Sequence, residues 1–403
     1  MSKERWLAVI GIGEDGFEGL TPAAQRLLAQ ADFVVGGKRH LALAGPSKAE
    51  TMTWPSPIEN ALDAIEARRG RAVCVLASGD PFFFGVGAML MRRFTAGEMT
   101  SIPAPSAFAL AASRLGWSQQ DCALVTLHGR PLEAIIPRLQ PAARILALSW
   151  DDATPAKLAA LLTARGMGRS KLTICEAMGG ARERIRTIEA QDFALDNVAA
   201  LNTIGLEVVA EPSARILPCA AGLPDEWFEH DGQITKREIR AMTLSALSPR
   251  RGELLWDVGS GSGSVAIEWM LADPANSAVA IEVRHDRAQR IARNALSFGA
   301  PSLSVVTGEA PDVFADLPRP EAIFIGGGAS APDMIDRAYD ALASGGRLVV
   351  NAVTIETQAA CVDWRARLGG ELAQFAIAHA EPVGRYSGWR AAMPIVQWRL
   401  VKP

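Results

Sequence analysis

The amino-acid sequence predicts an α/β protein with two domains, and three observations lead to this fold class. Apolar stretches of strand length alternate with stretches of helical period along most of the 403 residues, which is typical of sheets covered by helices. An apolar strand runs into a glycine loop twice, at residues 6–13 and 254–263. Between these loops, residues 211–232 contain three prolines and no sustained period, which is typical of a linker.

We predict a first domain at 1–210, a linker at 211–230 and a second domain at 231–403. The second domain is predicted to be a doubly wound, Rossmann-like parallel sheet, because helices follow its strands in turn. An antiparallel edge hairpin is expected from two apolar stretches, 372–380 and 391–401. The predicted strands are 253–258, 277–283, 302–307, 321–325 and 346–352, and the helices are 235–247, 264–272, 286–298, 331–343 and 355–367.

The strand and helix pattern of the first domain starts again near residue 121. We therefore predict two subdomains, 1–115 and 116–210, with a cleft between them. The predicted strands are 6–11, 32–35, 72–77, 100–102, 122–127, 145–148, 171–176 and 204–208. The predicted helices are 22–30, 57–68, 84–93, 106–115, 131–139 and 155–165.

Composition argues against several classes of protein. No apolar run reaches ~18 residues, so no transmembrane helix is expected, and the N-terminus lacks the apolar core of a signal peptide. The five cysteines are scattered and form no C-x-x-C pair, which is typical of buried thiols in a reducing cytoplasm, where we expect the protein. A net charge of −3 disfavours a nucleic-acid partner, because such proteins usually carry a basic surface.

The glycine loop of the second domain predicts a site for S-adenosylmethionine (SAM). Glycines at 259, 261 and 263 leave bare backbone that a flat ligand can approach closely. Glu282 closes the next predicted strand and can accept both hydroxyls of a ribose. A dinucleotide loop would place its third glycine at Ser264, so SAM is the favoured ligand, with a dinucleotide or a purely structural turn as alternatives.

Further residues of this site follow from their positions. Gly326–Gly328 end a predicted strand at the carboxyl edge, where doubly wound folds bind ligands, although a flexible loop is the alternative. Thr235 is expected to cap the first helix of the domain. The predicted contacts are Gly259, Ser260, Gly261, Ser262 and Gly263 with the methionine and ribose, Glu282 with the ribose, and Glu309 and Ala310 with the adenine.

The N-terminal loop Gly11–Gly16 matches the dinucleotide fingerprint G-x-G-x-x-G, but its surroundings do not. The fingerprint requires a helix to open at the third glycine, whereas the helix signal here is Thr21-Pro22. The following strand, 32–35, ends in two glycines with no acid for a ribose. The loop therefore serves another geometry.

Four motifs of the first domain, in order over roughly 210 residues, resemble the tetrapyrrole methylase family. They are residues 8–13 with Leu20-Thr21-Pro22, then 78–85, 103–108 and 127–130. Glu14-Asp15 stands where the family more often has Gly-Pro. The resemblance implies that SAM contacts Gly11, Gly13, Gly79, Asp80 and Ser106, and that His128 and Arg130 contact substrate. The alternatives are a turn aspartate at Asp80, a helix cap at Ser106 and an ordinary loop histidine at His128.

The second domain is similar to a class I SAM-dependent methyltransferase module of cobalamin biosynthesis. The matching residues are 231–240, 259–263, 308–311 and 324–328, and the module's pattern places Thr235 against the methyl donor. Together the resemblances imply two SAM molecules, two C-methylations of one tetrapyrrole and a decarboxylation, with no metal and a dimeric or tetrameric assembly. An RNA-directed methyltransferase and a non-catalytic SAM-binding protein are the competing hypotheses.

Side chains for substrate binding and proton transfer are less clearly marked. Arg385 and Arg390 flank Tyr386 and Trp389, and arginine forks bind carboxylates and stack on flat rings. The run 182–186 contains three further arginines, and solvated surface charges are the alternative in both places. No spacing singles out a catalytic residue for the decarboxylation, for which the conceivable acids are Glu229, His230, Asp231 and Tyr386.

Overall fold

The computed structural model describes residues 5–403, which form two compact units. The first unit comprises residues up to 132 together with 138–216, and the second comprises 133–137 together with 217–403. Both units have the predicted α/β architecture, with helices packed on sheets. Within residues 5–403, no helix combines the length and the apolar character that a membrane crossing requires.

The first sheet of the first unit is entirely parallel and has the order β3-β2-β4-β1-β5. Thr21 caps α1 by accepting a hydrogen bond from the amide of Ala24 at 3.3 Å, and Pro22 occupies the first turn, as predicted. The strands are β1 (Leu7–Ile12), β2 (Phe33–Gly36), β3 (Glu50–Thr53), β4 (Val73–Ser78) and β5 (Met99–Ile102). The helices are α1 (Pro22–Ala29), α2 (Lys38–Ala44), α3 (Ala61–Glu66) and α4 (Gly87–Leu90).

The second sheet of the first unit has the order β6-β7-β10-β8-β9 and is antiparallel except for the β6–β7 pair. Helix α5 leaves the edge of the first sheet but packs on the second, with Phe108 and Ala112 against Leu146 and Cys175. The strands are β6 (Cys122–Thr126), β7 (Arg144–Leu148), β8 (Lys171–Glu176), β9 (Arg184–Glu189) and β10 (Asn202–Glu207). The helices are α5 (Ala107–Leu115) and α6 (Thr154–Ala164).

The second unit contains a seven-stranded sheet of order β13-β12-β11-β14-β15-β19-β16. Strand β19 runs antiparallel to both of its neighbours, β15 and β16, and all other neighbouring strands are parallel. The sheet strands are β11 (Leu254–Val258), β12 (Ser277–Glu282), β13 (Ser304–Thr307), β14 (Ala322–Ile325), β15 (Arg347–Ala352), β16 (Glu371–Phe375) and β19 (Ile395–Val401). The helices are α7 (Arg237–Leu247), α8 (Ser264–Ala272), α9 (His285–Phe298), α10 (Met334–Ala341) and α11 (Ile355–Leu368).

The predicted edge hairpin is confirmed in its pairing, since β16 and β19 are antiparallel. The residues between them form a separate ribbon of β17 (Ala378–Val383) and β18 (Tyr386–Ala391) that the sequence analysis did not predict. We also did not predict β3, α2 and β9.

Two predicted helices differ from the structure for local reasons. The stretch predicted as helix 84–93 is helical only at α4, because Gly85 and Gly87 turn tightly over the carbonyl of Pro81. Residues 132–138 form a 3₁₀ helix that contains Pro137, which cannot donate an α-helical hydrogen bond.

A buried ion pair fixes the start of the second unit. Arg240 on α7 is fully buried and donates to Glu268 on α8 at 2.6 Å. Glu268 also accepts from the amides of Gly222 at 2.7 Å and Leu223 at 2.9 Å. The residues just before α7 are thereby bound to two helices of the unit.

Candidate functional site

The glycine loop of the second unit lies at the carboxyl edge of its sheet, between β11 and α8. The amides of Gly259 and Ser260 donate to the carbonyl of Ile281 at 3.0 and 3.1 Å. Gly259 has φ +68°, and a Cβ on it would lie 3.0 Å from the carbonyl oxygen of Gly327. The loops after β11 and β14 are therefore in close backbone contact, at the edge where open α/β sheets bind ligands.

Glu282 ends β12 beside this loop and is 3% exposed. Its carboxylate accepts from the amide of Gly261 at 2.9 Å and from the amide of Arg284 at 3.1 Å. Each carboxylate oxygen has a second lone pair, so the group can still accept hydroxyl donors from a ligand. The carboxylate thus also holds the glycine loop in place.

Asp257 in β11 is a buried acid that the sequence analysis did not single out. It accepts from the Ser260 hydroxyl at 2.7 Å and from the amide of Ala266 at 3.1 Å. Burial raises its pKa to about 6, against the opposing effect of these two hydrogen bonds. Within residues 5–403, its Oδ1 and the buried hydroxyl of Ser262 have no hydrogen-bond partner. The signal that could have found Asp257 is an acid inside an apolar strand, two residues before the loop.

The other two loop glycines are explained by contacts within the unit. A Cβ on Gly261 would lie 3.2 Å from the carbonyl oxygen of Gln233, and one on Gly263 would lie 2.7 Å from the side chain of Ile291. Gly263 therefore allows α8 and α9 to pack closely, while the segment before α7 lies over the loop.

Thr235 lies in that segment, but the predicted capping role is wrong. Helix α7 begins at Arg237, Lys236 is its N-cap residue, and the cap has no side-chain hydrogen bond. The Thr235 carbonyl instead accepts from the guanidinium of Arg240.

The remaining predicted SAM residues also follow strands at the carboxyl edge. Glu309 and Ala310 come after β13, where the amide of Gly308 donates to the carbonyl of Glu282 at 3.1 Å. Glu309 is exposed. Gly326 follows β14, and its amide donates to the carbonyl of Val258 at 3.1 Å. The sheet thus brings the ends of β11, β12, β13 and β14 to one edge.

Most of the conceivable proton donors are already paired. Asp231 accepts from Arg287 at 2.9 Å and contacts Arg290 at 3.3 Å, and the hydrogen bond from Arg287 contributes most to holding its pKa well below the usual range. Glu229 pairs with Arg293 at 2.8 Å. The Nδ1 atom of His230 accepts from the amide of Gly232 at 3.0 Å. Asp231 is therefore a carboxylate held by arginines and is a poor acid.

The predicted anchors Arg385 and Arg390 lie on or beside the exposed β17–β18 ribbon. Arg390 pairs with Glu381 at 3.0 Å, and the guanidinium of Arg385 lies 5.0 Å from the ring centre of Tyr386. Trp389 is 81% exposed. The ribbon thus presents cations and aromatic rings to solvent.

In the first unit, the loops after β1, β4 and β5 meet at the carboxyl edge of the first sheet. A Cβ on Gly11 would lie 1.8 Å from the carbonyl oxygen of Gly79, and that oxygen accepts from the amide of Ala104 at 3.1 Å. Gly11 is buried, so its bare backbone makes room for another loop. Gly13, next to it, is half-buried.

Asp80 and Ser106 lie at this edge with their side chains engaged locally. Asp80 accepts from the amide of Phe82 at 2.8 Å, and Ser106 caps α5 by accepting from Ala109 at 3.1 Å. Asp80 is thus a turn aspartate and Ser106 is a helix cap. Their contact with SAM stays a prediction. The rings of Phe83 and Phe84 lie 5.1 Å apart and are partly exposed beside the loop.

A polar cluster at the same edge was not predicted. We call it the Ser78 cluster, and its members are Glu14, Arg39, His40 and Ser78. The Ser78 hydroxyl lies 2.8 Å from Nε2 of His40 and accepts from Arg39 at 2.9 Å. Arg39 also pairs with Glu14. The members of the cluster come from the loop after β1, from helix α2 and from the end of β4, so they are far apart along the chain and no local pattern marks them.

The predicted substrate residues His128 and Arg130 are exposed after β6. The His128 ring lies 6.3 Å from the ring of Trp150, which follows the parallel strand β7 and is 56% exposed. From the run 182–186, Arg184 and Arg186 bind the buried Glu176 at 2.7 and 3.1 Å, so they have a structural role. Within residues 5–403 there is no group of three His, Cys, Asp or Glu residues placed to hold a metal ion.

Comparison with known proteins gives the family. The model of the tetrapyrrole (corrin/porphyrin) methylases matches residues 7–194, and that of the precorrin methyltransferase domain matches residues 226–402. A protein of Sinorhizobium sp named precorrin-6Y C(5,15)-methyltransferase [decarboxylating] is 56% identical over 98% of this chain and 96% of its own length. The chain belongs to this family. The predicted resemblance and the predicted class, a SAM-dependent methyltransferase, are confirmed.

Two shorter relatives each match less than half of the chain. The cobalt-precorrin-7 C(5)-methyltransferase of Salmonella typhimurium is 34% identical over 44% of this chain and 88% of its own length. A protein of Pyrobaculum calidifontis, named probable cobalt-precorrin-6B C(15)-methyltransferase (decarboxylating), is 37% identical over 43% of this chain and 92% of its own length. The name of the first relative gives carbon 5 and that of the second gives carbon 15, whereas the name of the Sinorhizobium protein gives both.

Proposed function

We propose that the chain methylates precorrin-6Y at carbons 5 and 15 with two molecules of SAM. It also removes carbon dioxide from the acetate side chain of ring C, which gives precorrin-8X. The observation that carries this proposal is the 56% identity to a precorrin-6Y C(5,15)-methyltransferase over 98% of the chain. The reaction belongs to cobalamin biosynthesis.

We assign carbon 5 to the first unit, and carbon 15 with the decarboxylation to the second. The resemblance of each half to its own methyltransferase family supports this division. The two shorter relatives also support it, because their names separate a C(5) activity from a decarboxylating C(15) activity. One SAM site in each unit follows from the division.

The sulfonium methyl of SAM is already activated, so each unit mainly has to hold the donor and the ring carbon in line. In the second unit, the loop Gly259–Gly263 and Glu282 hold the methionine and ribose, and Glu309 with Ala310 borders the adenine. In the first unit, the loops that carry Gly13, Gly79, Asp80 and Ser106 hold the donor. The partly exposed Phe82, Phe83 and Phe84 offer an apolar surface to the flat ring.

Loss of carbon dioxide needs an acceptor for an electron pair, and the conjugated tetrapyrrole is that acceptor. The protein has to desolvate the departing carboxylate and deliver a proton. Asp231 does not serve as that acid, because its two arginine partners keep it ionised. The acid for this step stays unassigned.

The test is mass analysis of the products that the full chain forms from precorrin-6Y and SAM. We expect two added methyl groups and the loss of one carbon dioxide. With Glu282→Ala we expect the carbon 15 methylation and the decarboxylation to slow together, while carbon 5 is still methylated. Products with a single methyl group from the unaltered chain would overturn the proposal.

A further inference from the structure

The Ser78 cluster has a geometry that binding of the methyl donor does not explain. Ser78 is the last residue of β4, two residues before Asp80, and its side chain is exposed at the carboxyl edge. His40 lies behind it on α2 and is half-buried. A solvent-facing hydroxyl is thus backed by an imidazole at 2.8 Å.

The neighbouring guanidinium favours one direction of the hydrogen bond in this pair. One nitrogen of Arg39 lies 2.9 Å from the Ser78 oxygen and 3.1 Å from Nε2 of His40. In the tautomer that carries its proton on Nδ1, Nε2 is an acceptor, and this tautomer suits the guanidinium because arginine can only donate. In this tautomer the Ser78 hydroxyl donates to Nε2, and its oxygen has a lone pair free for a further donor.

The surrounding charges keep this arrangement in place. Glu14 is only 9% exposed, pairs with Arg39, and lies 3.7 Å from Arg182 at its other oxygen. Gly180 packs against Glu14, where an added Cβ would lie 2.7 Å from that side chain. Burial, and then the positive charge of Arg39, lower the pKa of His40 to about 4, so the imidazole is neutral at neutral pH.

The proposed reaction of the first unit creates a need for such a pair. Methyl transfer to a methine carbon breaks the S–CH₃ bond, forms a C–C bond and releases neutral S-adenosylhomocysteine. The carbon then carries both the new methyl group and its original hydrogen. Loss of that hydrogen as a proton returns the electron pair to the conjugated ring, and a group at the site has to accept the proton.

We propose that Ser78 and His40 form the proton relay of the first methylation. The Ser78 oxygen takes the proton from the methylated carbon while its own proton passes to Nε2 of His40. His40 later releases this proton to solvent, so protons and electrons balance without a further reactant. Ser78 is the catalytic residue, and His40 is a positioning residue that acts through it. This inference rests on the proposed function, in which carbon 5 is methylated by the first unit.

The test uses the full chain with SAM and a precorrin-6Y that carries hydrogen or deuterium at carbon 5. General-base groups contribute typically ~10²-fold or more, so Ser78→Ala and His40→Gln should each lower kcat for carbon 5 methylation by about that factor. Methylation at carbon 15 and the decarboxylation should be unchanged. Both variants should show a primary deuterium isotope effect that exceeds that of the unaltered chain, because proton removal becomes slower.

Two further variants separate chemistry from structure. Ser78→Thr keeps the hydroxyl and should restore most of the rate, whereas Ser101→Ala, at an exposed position of strand β5 in the same sheet, should change nothing. A full carbon 5 rate in both Ser78→Ala and His40→Gln, with the unaltered chain forming the doubly methylated product, overturns the relay alone. Failure of the unaltered chain to methylate carbon 5 overturns the relay and the proposed function together.

Discussion

The two glycine loops of this chain begin with glycines, Gly11 and Gly259, that are required for different physical reasons. In the second unit, Gly259, Gly261 and Gly263 all have positive φ, between +61° and +78°, which favours glycine on conformational grounds. In the first unit, Gly11 has ordinary dihedral angles, and glycine is needed there because the carbonyl of Gly79 would lie 1.8 Å from a Cβ. A glycine motif thus marks either a turn of unusual conformation or a close approach of two chain segments.

The largest expected effect is the loss of stability when these glycines are replaced by alanine. Gly11→Ala should destabilise the protein by about 3 kcal/mol or more, because neither backbone segment can yield without breaking the contact. Gly259→Ala should cost about 1–2 kcal/mol, the strain of a left-handed residue. Urea unfolding measures both, and Gly97→Ala is the control, because its added Cβ would lie 3.8 Å from the Thr95 hydroxyl, an ordinary contact distance. Equal losses at positions 11 and 259 would contradict the distinction.

The second loop also differs because a buried acid binds it: the Glu282 carboxylate accepts a hydrogen bond from the amide of Gly261. Glu282→Ala should weaken SAM binding to the second unit by about 1.5–3 kcal/mol, the range for a hydrogen bond to a charged group. Calorimetry on the full chain should then show one weakened site and one unchanged site. Glu356→Ala, at an exposed position of α11, is the matched control. Two unchanged sites would show that the ribose contact is assigned to the wrong residue.

A smaller difference between the loops should appear with pH. The pKa of Asp257 is about 6 in the folded protein, against about 3.9 in an unfolded chain, so folding favours the protonated form. This stabilisation is fully present below pH ~4 and is lost as the pH rises through ~6. The free energy of unfolding, relative to Asp257→Asn, should therefore fall by about 2 kcal/mol between these values.

Chemical denaturation at several pH values measures this trend. Asp316→Asn, at an exposed position of the same unit, is the matched control. A constant difference between the unaltered chain and Asp257→Asn would mean that the carboxyl is ionised throughout.

The smallest effect is expected at the exposed ribbon. Replacing Arg385 and Arg390 together by alanine should weaken tetrapyrrole binding by about 1 kcal/mol or less, since exposed ion pairs contribute little. The remaining affinity should depend less on salt, and SAM affinity should stay the same. Titration of the tetrapyrrole absorption at two salt concentrations tests this. An unchanged tetrapyrrole affinity would show that these arginines are solvated surface charges that do not bind the substrate.

The sequence predicted what local patterns determine. The strand and helix order of the second unit follows from hydrophobic periodicity, and the loop at 259–263 with Glu282 follows from spacing. The capping role of Thr235 was wrong because the chain from Gly222 onward is held by Glu268 and Arg240, which delays the start of α7. The Ser78 cluster could not be predicted because its members lie in the loop after β1, on α2 and at the end of β4, and only the fold brings them together.

The buried pair of Arg240 and Glu268 determines how this enzyme can be dissected. A fragment that begins at residue 231 loses the amides of Gly222 and Leu223 and the carboxylate of Asp225, all of which contact this pair. Two charges would then remain in the interior with fewer partners, at a cost of several kcal/mol. The smallest fragment of the second unit able to fold by itself therefore begins before Gly222, within the proline-bearing stretch that reads as a spacer.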